Sequence, residues 1–289
     1  MEEPLVSVLL ASYNHAPFVE AAVRSILSQS GVAFELIVID DGSTDNSPQI
    51  LERLSHEFGF YYKHRENRGL VQTLNEMLTL AHGKYFCTFA SDDVMAPGRL
   101  AAQSQFLETH PEFAACAGQV KNLRSDGNLE DTVDLRYAKT QEATFEEILL
   151  GKAELHGATE MIVKEKFAAV GNYDKNFRFE DFPAWLALSY RYGKIPVLRT
   201  VCCYYRILET SMHRNLNFIY KQILAVIEKY KNHPAYSQAV ALWKTRWFSS
   251  LAYNQKREAL RKLPQLATCT KTFWMHFPKL FIPRIFLKY

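Results

Sequence analysis

Apolar runs that stop abruptly at acidic or small polar residues recur along the first hundred positions of this chain. Val6 to Ala11, Phe34 to Ile39, Phe60 to His64 and Lys84 to Ala90 each read as a strand. Near-continuous apolar runs of this length suit strands covered on both faces, as in a parallel sheet. Between them the spacing changes to that of helices. Phe18, Val19, Ala22, Val23, Ile26 and Leu27 fall on one face behind Pro17, and Ser47-Pro48 opens a second helix. Further helices are predicted over 71–81 and 99–108, the latter behind Pro97-Gly98. Pro sits well in a first helical turn because its fixed φ is already helical and its missing N–H has no partner there anyway. Repeated β-α-β units with short links predict an α/β fold with a right-handed, mostly parallel sheet flanked by helices, in the Rossmann manner.

The pattern then changes twice. Phe113 to Val120 reads as another strand, but 121–139 is polar and without period, which predicts a long irregular loop. Strands are predicted at Glu160 to Val163 and Val197 to Tyr205, with a helix over Pro183 to Tyr192 between them. Beyond Met212 strand signals cease. Leu216, Ile219, Ile223, Val226, Ile227 and Tyr230 make a helical stripe, and Ala239 to Leu251 continues in the same style. The expected organisation is a domain over 1–212 and a helical C-terminal subdomain over 213–289.

Composition narrows the class. At 289 residues with 48% hydrophobic and 13% aromatic content, the chain has ample material for a packed core. No run approaches the ~20 apolar residues of a membrane-spanning helix, and the Met-Glu-Glu-Pro start lacks the basic and apolar regions of a secretory signal. Five cysteines without CxxC spacing (Cys87, Cys116, Cys202, Cys203, Cys269) read as reduced thiols of a cytosolic protein. Net charge is +3 but uneven: from Gln255 onward eight Lys or Arg face Glu258 alone, so the tail carries +7 and the rest −4. In 273–289 these charges are interleaved with Phe273, Trp274, Met275, Phe277, Leu280, Phe281 and other apolar residues. Such a segment suits the headgroup layer of an anionic membrane; the bland alternative is a tail that packs its aromatics on the catalytic domain. Nucleic-acid binding has no accompanying motif.

Candidate chemistry sits at the strand ends. Asp40-Asp41-Gly42-Ser43 follows the second strand and Ser91-Asp92-Asp93 the fourth. Side chains just past the carboxyl ends of parallel strands line the binding crevice of an open α/β sheet. Four carboxylates gathered there call for a cation or a donor-rich ligand between them. Ala11-Ser12-Tyr13-Asn14 ends the first strand beside them, where a Tyr ring can face a base and Asp41 can accept from a ring N–H. Equally, Tyr13 can be rim packing and Asp41 a turn cap. Asp92 and Asp93 suit Mg²⁺ or Mn²⁺, hard cations that take carboxylate oxygens together with substrate phosphates, or else cap the helix behind Pro97. Glu180-Asp181 precedes Pro183 and lies among Phe177, Phe179, Phe182 and Trp185; it reads as a general base in apolar surroundings or as helix capping.

The ordered set Val-Ser-Val-Leu-Leu-Ala-Ser-Tyr-Asn, Glu-Leu-Ile-Val-Ile-Asp-Asp-Gly-Ser-Thr-Asp, Asn-Arg-Gly, Ala-Ser-Asp-Asp and Glu-Asp-Phe-x-x-Trp resembles the family 2 inverting glycosyltransferases of GT-A fold, over roughly residues 4 to 205. The resemblance implies that Ala11, Tyr13, Asn14, Asp41, Asn67 and Gly69 hold the nucleotide, most simply UDP. It implies that Asp92 approaches the ribose or metal, Asp93 is the principal ligand of Mn²⁺ or Mg²⁺, Asp181 is the base with Glu180 assisting, and Trp185 walls the acceptor side. The implied donor is a nucleotide-sugar and the implied acceptor a glycan or polyprenyl-diphosphate-linked saccharide of surface polysaccharide, at the inner face of the cytoplasmic membrane. Two departures stand out. Ala90 replaces the acid many relatives carry, and nothing aligns beyond about Arg206, where His213 is either a further metal or phosphate contact or a plain loop histidine. Rival readings are a catalytically silent sugar-nucleotide-binding protein of the same fold and a nucleotidylyltransferase. Against the latter, Ser12 to Pro17 lacks a Gly-rich basic loop.

Overall fold

The structure, a computed structural model, describes residues 3–124, 127–207, 215–268 and 270–282. His213, Cys269 and the last seven positions of the tail lie outside the described residues. The chain divides into two compact units: Met1–Phe145 with Ala153–Leu208, and Glu146–Lys152 with Glu209–Tyr289.

In the first unit the elements run β1 (Val6–Ser12), α1 (Val19–Leu27), β2 (Phe34–Asp40), α2 (Ser47–Phe58), β3 (Tyr61–His64), α3 (Leu70–Leu80), β4 (Tyr85–Ala90), β5 (Val94–Met95), α4 (Arg99–Thr109), β6 (Ala115–Leu123) and β7 (Leu129–Val133). They continue through α5 (Leu135–Ala138), β8 (Glu142–Ala143), α6 (Phe145–Leu149), where the chain enters the second unit, then β9 (Met161–Val163), α7 (Lys164–Ala169), α8 (Asp181–Tyr192) and β10 (Ile195–Arg206). The sheet order is β3-β2-β1-β4-β9-β6-β10-β5, with β7 on β6 and β8 on β10. β3, β2, β1 and β4 are mutually parallel. β9 is antiparallel to both β4 and β6, and β10 runs parallel to β6.

Burial explains the parallel half. Val6, Val8, Leu10, Val38 and Cys87 pack with Val19, Ala22, Val23 and Ile26 of α1 in one cluster without solvent exposure. The helical spacing of those α1 residues is what turns a single face onto the sheet. Register then sets the working edge: Ser12 lies opposite Asp40, and Ala11 opposite both Ile39 and Ala90. Strands lie about 4.8 Å apart, so the segments following β2, β1 and β4 emerge side by side.

The region 121–139 is not the irregular loop its polarity predicts. β6 runs on to Leu123, and β7 pairs back on it antiparallel, Lys121 opposite Val133 and Leu123 opposite Leu129. β7 is largely exposed, so its ladder rests on backbone hydrogen bonds at a sheet edge and not on burial. Its sequence therefore carries no apolar alternation to detect.

The second unit contains α9 (Leu216–Glu228), α10 (Tyr236–Asn254), α11 (Lys256–Leu266) and α12 (Lys271–His276), followed by a 3₁₀ turn over Phe277–Leu280. Phe248, Leu251, Ala252, Phe273 and Leu280 share its core, and the Phe248 and Phe273 ring centroids are 4.8 Å apart. The Leu149 and Gly151 carbonyls accept from Trp243 Nε1 and the Arg246 guanidinium of α10. The tail thus splits between two fates. Phe273 and Leu280 are interior, whereas Trp274, Met275 and Phe281 are 55%, 69% and 71% exposed. Among the described residues no helix is long and apolar enough to cross a membrane.

One turn next to the working edge depends on its glycine. Gly42 has φ +84°, and a Cβ there would lie 2.7 Å from the Asn67 backbone nitrogen. Gly59 has a similar φ of +75° but open space around it. Gly59→Ala is expected to cost about 1 kcal/mol for the left-handed backbone alone, and Gly42→Ala clearly more, because backbone must also move. Urea denaturation of the two variants checks this; equal losses would remove the close approach as the constraint.

Candidate active site

The β1–β2 edge is built by carboxylates that tie loops together. Asp40 is fully buried. Its Oδ1 accepts from the Ser43 N–H at 2.9 Å and lies 2.8 Å from His64 Nδ1, and its Oδ2 accepts from Ser43 Oγ at 2.6 Å. Asp41 collects the loop over 65–69: Oδ1 accepts from the Arg68 N–H at 2.9 Å and from the Arg65 guanidinium, and Oδ2 from the Gly69 N–H at 2.8 Å. The Asn67–Gly69 segment is thereby held beside Asp41. Asn14 adopts φ +53°; its N–H donates to Ser43 Oγ at 2.7 Å and its Oδ1 accepts from the Thr44 N–H at 2.8 Å. Its side chain is thus engaged in bracing the turn after β2. Next to Asn14, Tyr13 is half exposed. Arg65, missed from sequence, pairs with the nearly buried Asp41 and also donates to Thr73 Oγ1 at 2.8 Å.

At the end of β4 the two acids differ sharply. Asp93 is 1% exposed. Its Oδ1 accepts from the Arg206 N–H at 2.8 Å, while its Oδ2 is buried without a hydrogen-bond partner. Burial, then the neighbouring charge of Asp92, push its carboxyl up to about 7, against the Arg206 N–H and the Cys203 thiol. Asp92 is more open, its side chain 19% exposed, with Oδ1 3.8 Å from His15 Nδ1. His15 Nδ1 is also 2.8 Å from Ser91 Oγ. Arg206 donates from Nε to the Asp92 carbonyl at 2.7 Å, and its guanidinium lies 4.6 Å from the Phe18 ring centroid. His15 and Arg206 were not singled out from the sequence. The only signal for either was position, one in the loop after a strand and one at the last residue of the resemblance.

These groups fit a divalent cation in part. An unsatisfied buried carboxylate oxygen beside a second, accessible carboxylate is hard oxygen chemistry suited to Mg²⁺ or Mn²⁺. Ala90 adds no oxygen ligand from its side chain. Among the described residues no group of three or more His, Cys, Asp or Glu gathers to hold a metal. Any cation here would complete its shell with substrate oxygens and water.

Glu180 and Asp181 begin α8. The Phe182 N–H donates to Asp181 Oδ1 at 2.7 Å. Asp181 packs directly on Gly157: a Cβ at that position would lie 2.9 Å from Asp181 Cβ and 3.2 Å from its Oδ2. Burial, followed by the charges of Asp181 and Glu160, pushes the Glu180 carboxyl up to about 8. Glu160 is a third acid, fully buried, that the sequence hid inside a predicted strand. Trp185 is 2% exposed, with Nε1 buried and lacking a hydrogen bond; it stands within the core behind the acids and not on an open wall.

Known proteins share the family and fold of this chain. The model of "Glycosyl transferase family 2" matches residues 7–167, more than half of the chain. A Bacillus subtilis relative, "putative teichuronic acid biosynthesis glycosyltransferase TuaG", is 26% identical over 216 residues, covering 74% of this chain and 83% of its own. Among solved structures, S. aureus TarS 1–349 in complex with UDP-GlcNAc is similar with a TM-score of 0.66 at 16% identity, covering 95% of this chain and 80% of that one. The chain spans 49% of a longer TarS structure. The mannosyltransferase PcManGT of Pyrobaculum calidifontis, in complex with GDP-Man and Mn²⁺, gives a TM-score of 0.61 at 17% identity, covering 99% of this chain and 88% of its own. The two structures share the α/β fold with a central sheet and flanking helices, and the matched family model makes this chain a member of glycosyl transferase family 2.

Proposed function

We propose that the protein moves a sugar from a nucleotide-sugar, with UDP-sugars as the first choice, to a hydroxyl of a glycan or lipid-linked saccharide in polysaccharide assembly, with inversion at the anomeric carbon. The carrying observation is the division among the acids: Asp40 and Asp41 are satisfied by protein donors, whereas Asp93 keeps a buried oxygen unsatisfied at the end of β4. The nucleotide complexes of TarS and PcManGT support a nucleotide-sugar donor, and the teichuronic acid biosynthesis for which TuaG is named supports a polysaccharide product.

In this reading Ala11, Tyr13 and the Asn67–Gly69 loop receive the nucleotide base. Asp41 retains lone pairs for a ring N–H beyond the three donors it already accepts, and Asn14 keeps the neighbouring turn in place. Asp92 and Asp93 would hold a divalent cation, with His213 a further candidate outside the described residues; the cation's chemistry would be neutralisation of charge on the departing diphosphate. Arg206 adds positive charge to the same edge, and His15 stands beside it against Asp92. Asp181 accepts the proton of the acceptor hydroxyl as that oxygen attacks the anomeric carbon opposite the leaving group. The C–O bond to the diphosphate breaks as the new glycosidic bond forms. The raised proton affinity of Glu180 keeps it neutral beside Asp181, so it orients the acceptor by hydrogen bonding without competing as a base. Trp185 backs the helix that carries both. The silent-protein alternative draws on Ala90 and on the absence of a three-group metal cluster among the described residues.

The exposed Trp274, Met275 and Phe281 beside Lys271 and Lys279 support contact of 273–289 with an anionic membrane, where aromatic rings enter the headgroup layer and lysines meet lipid phosphates. Trp274→Ser with Phe281→Ser is expected to lower co-sedimentation with vesicles containing anionic lipid, at unchanged circular dichroism. An undiminished bound fraction would leave those side chains without that role.

Asp181→Asn should reduce transfer at least about a hundredfold, the usual scale for removing a general base, while nucleotide affinity stays within a few-fold. Retained turnover would remove Asp181 as the base. Asp93 gives a prediction of opposite sign for stability. Its folded carboxyl titrates far above the ordinary Asp value of 3.8, so its neutral form suits the fold and stability falls as pH rises from about 4 through about 7. Asp93→Asn removes this loss. Its Tm at pH 8 should exceed that of the native chain by more than it does at pH 4, while Mn²⁺-linked donor binding weakens. A Tm difference independent of pH would contradict the assignment.

A further inference from the structure

Glu160 is the strangest acid in the protein. It stands at the end of the turn Gly157–Thr159, immediately before β9, with no solvent exposure. Its Oε1 accepts from Thr88 Oγ1 at 2.6 Å and from the Tyr173 hydroxyl at 2.9 Å. Its main-chain carbonyl accepts from Nη2 of the fully buried Arg99 at 2.8 Å. Its Oε2 is buried without a hydrogen bond. A cross-link of this kind, joining β4 to the loop before α8, needs only one acceptor oxygen. A neutral amide would supply it without the desolvation cost of a carboxyl. The surplus is a second oxygen and a titratable proton.

The base lies within electrostatic reach of this surplus. The turn that ends at Glu160 is the one whose Gly157 packs against Asp181, and the charges of Asp181 and Glu160 act on one another, with Glu180 inside the same group. The other polar groups around Glu160 are the Thr88 and Tyr173 hydroxyls, the Arg99 guanidinium and the Cys87 thiol. The thiol is pushed up by burial to about 11 and stays neutral near pH 7. Arg99 keeps its charge throughout.

Resting on the reading of Asp181 as the base, we infer that Glu160 is a positioning residue that sets the base's proton affinity through the charge of its own carboxyl, while its bonded oxygen fixes the distance between β4 and the Asp181 loop. Burial pushes Glu160 up to about 7, with the charge of Asp181 adding to the rise and its two hydrogen bonds and Arg99 opposing it. Below that pH Glu160 is neutral and places no charge beside Asp181. Above it, the second negative charge raises the proton affinity of Asp181, and the acceptor's proton is taken more readily. No other reactant is needed: the proton leaves the acceptor oxygen and rests on Asp181.

The coupling is reciprocal, which gives a test that needs no turnover. In the full chain, the protonated-carboxyl infrared band that disappears in Glu160→Gln is assigned to Glu160 and titrated. Its midpoint should fall by about half a pH unit or more in Asp181→Asn, because a neighbouring like charge has gone. A midpoint unmoved by Asp181→Asn overturns the inference. The kinetic arm follows single-turnover transfer against pH. Glu160→Gln should match the native chain within twofold at pH 5.5 and fall behind it on the order of threefold at pH 8. An equal loss at every pH, or none, also overturns it, since a purely structural cross-link predicts one of those. If Glu160→Gln gives no cooperative melting transition, Thr88→Val replaces it. Loss of that hydrogen bond should raise the band's midpoint, and an unchanged midpoint counts against the inference. A native chain inactive with every donor but showing the Asp181-linked midpoint shift would sink the transfer reading alone. An active chain without the shift would sink the role of Glu160 alone.

Discussion

Carboxylates set at the ends of buried parallel strands lose their water, and the working edge of this protein is organised by how each one meets that loss. Asp40 and Asp41 meet it with protein partners: a serine hydroxyl, a histidine, three backbone N–H groups and an arginine. Asp93 meets it halfway, with one oxygen bonded and one bare. Glu160 and Glu180 meet it by holding their protons more tightly. The same solvation cost therefore yields a braced floor of fully bonded acids, a buried carboxylate oxygen left bare, and a set of acids poised around neutrality.

These settlements pull against stability in a common direction. Three groups whose proton affinity rises on folding make the folded state favour the protonated forms, so stability is greatest at or below about pH 4 and declines as pH rises from there until the groups ionise in the fold near pH 7 and 8. A site that needs an ionised base and an ionised cation-binding carboxylate works where the fold is least comfortable. Strain of this sort is commonly concentrated at functional positions and offset by the packed remainder. Here the remainder is the fully buried cluster of β1, β2, β4 and α1, which fixes the strand ends relative to one another.

Much of this was legible in the sequence, for definable reasons. Burial on both faces leaves apolar runs, so β1, β2 and β4 and their acidic ends could be read directly, as could the one-sided helix α1. β7 could not, because an exposed edge strand is held by backbone bonds that side chains do not announce. The acids that line the site were visible as residues, yet their division of labour was not: satisfaction of Asp41 by the 65–69 loop, and the bare oxygen of Asp93, are long-range contacts. Glu160 sat unnoticed in a predicted strand, since nothing local distinguishes an acid paired with Thr88 and Tyr173 from one facing water. The tail was readable as basic and aromatic, but not that Phe273 would turn inward while Trp274 stayed out.

If the bare carboxylate edge serves metal-assisted release of a nucleoside diphosphate, as proposed, donor hydrolysis will show it: the full chain is given UDP-, GDP- and dTDP-sugars, each with Mn²⁺ and with a chelator. The expected result is nucleoside diphosphate release from a UDP-sugar that requires the cation. Release at the same rate under chelation, or none from any donor with Mn²⁺ present, would contradict that role.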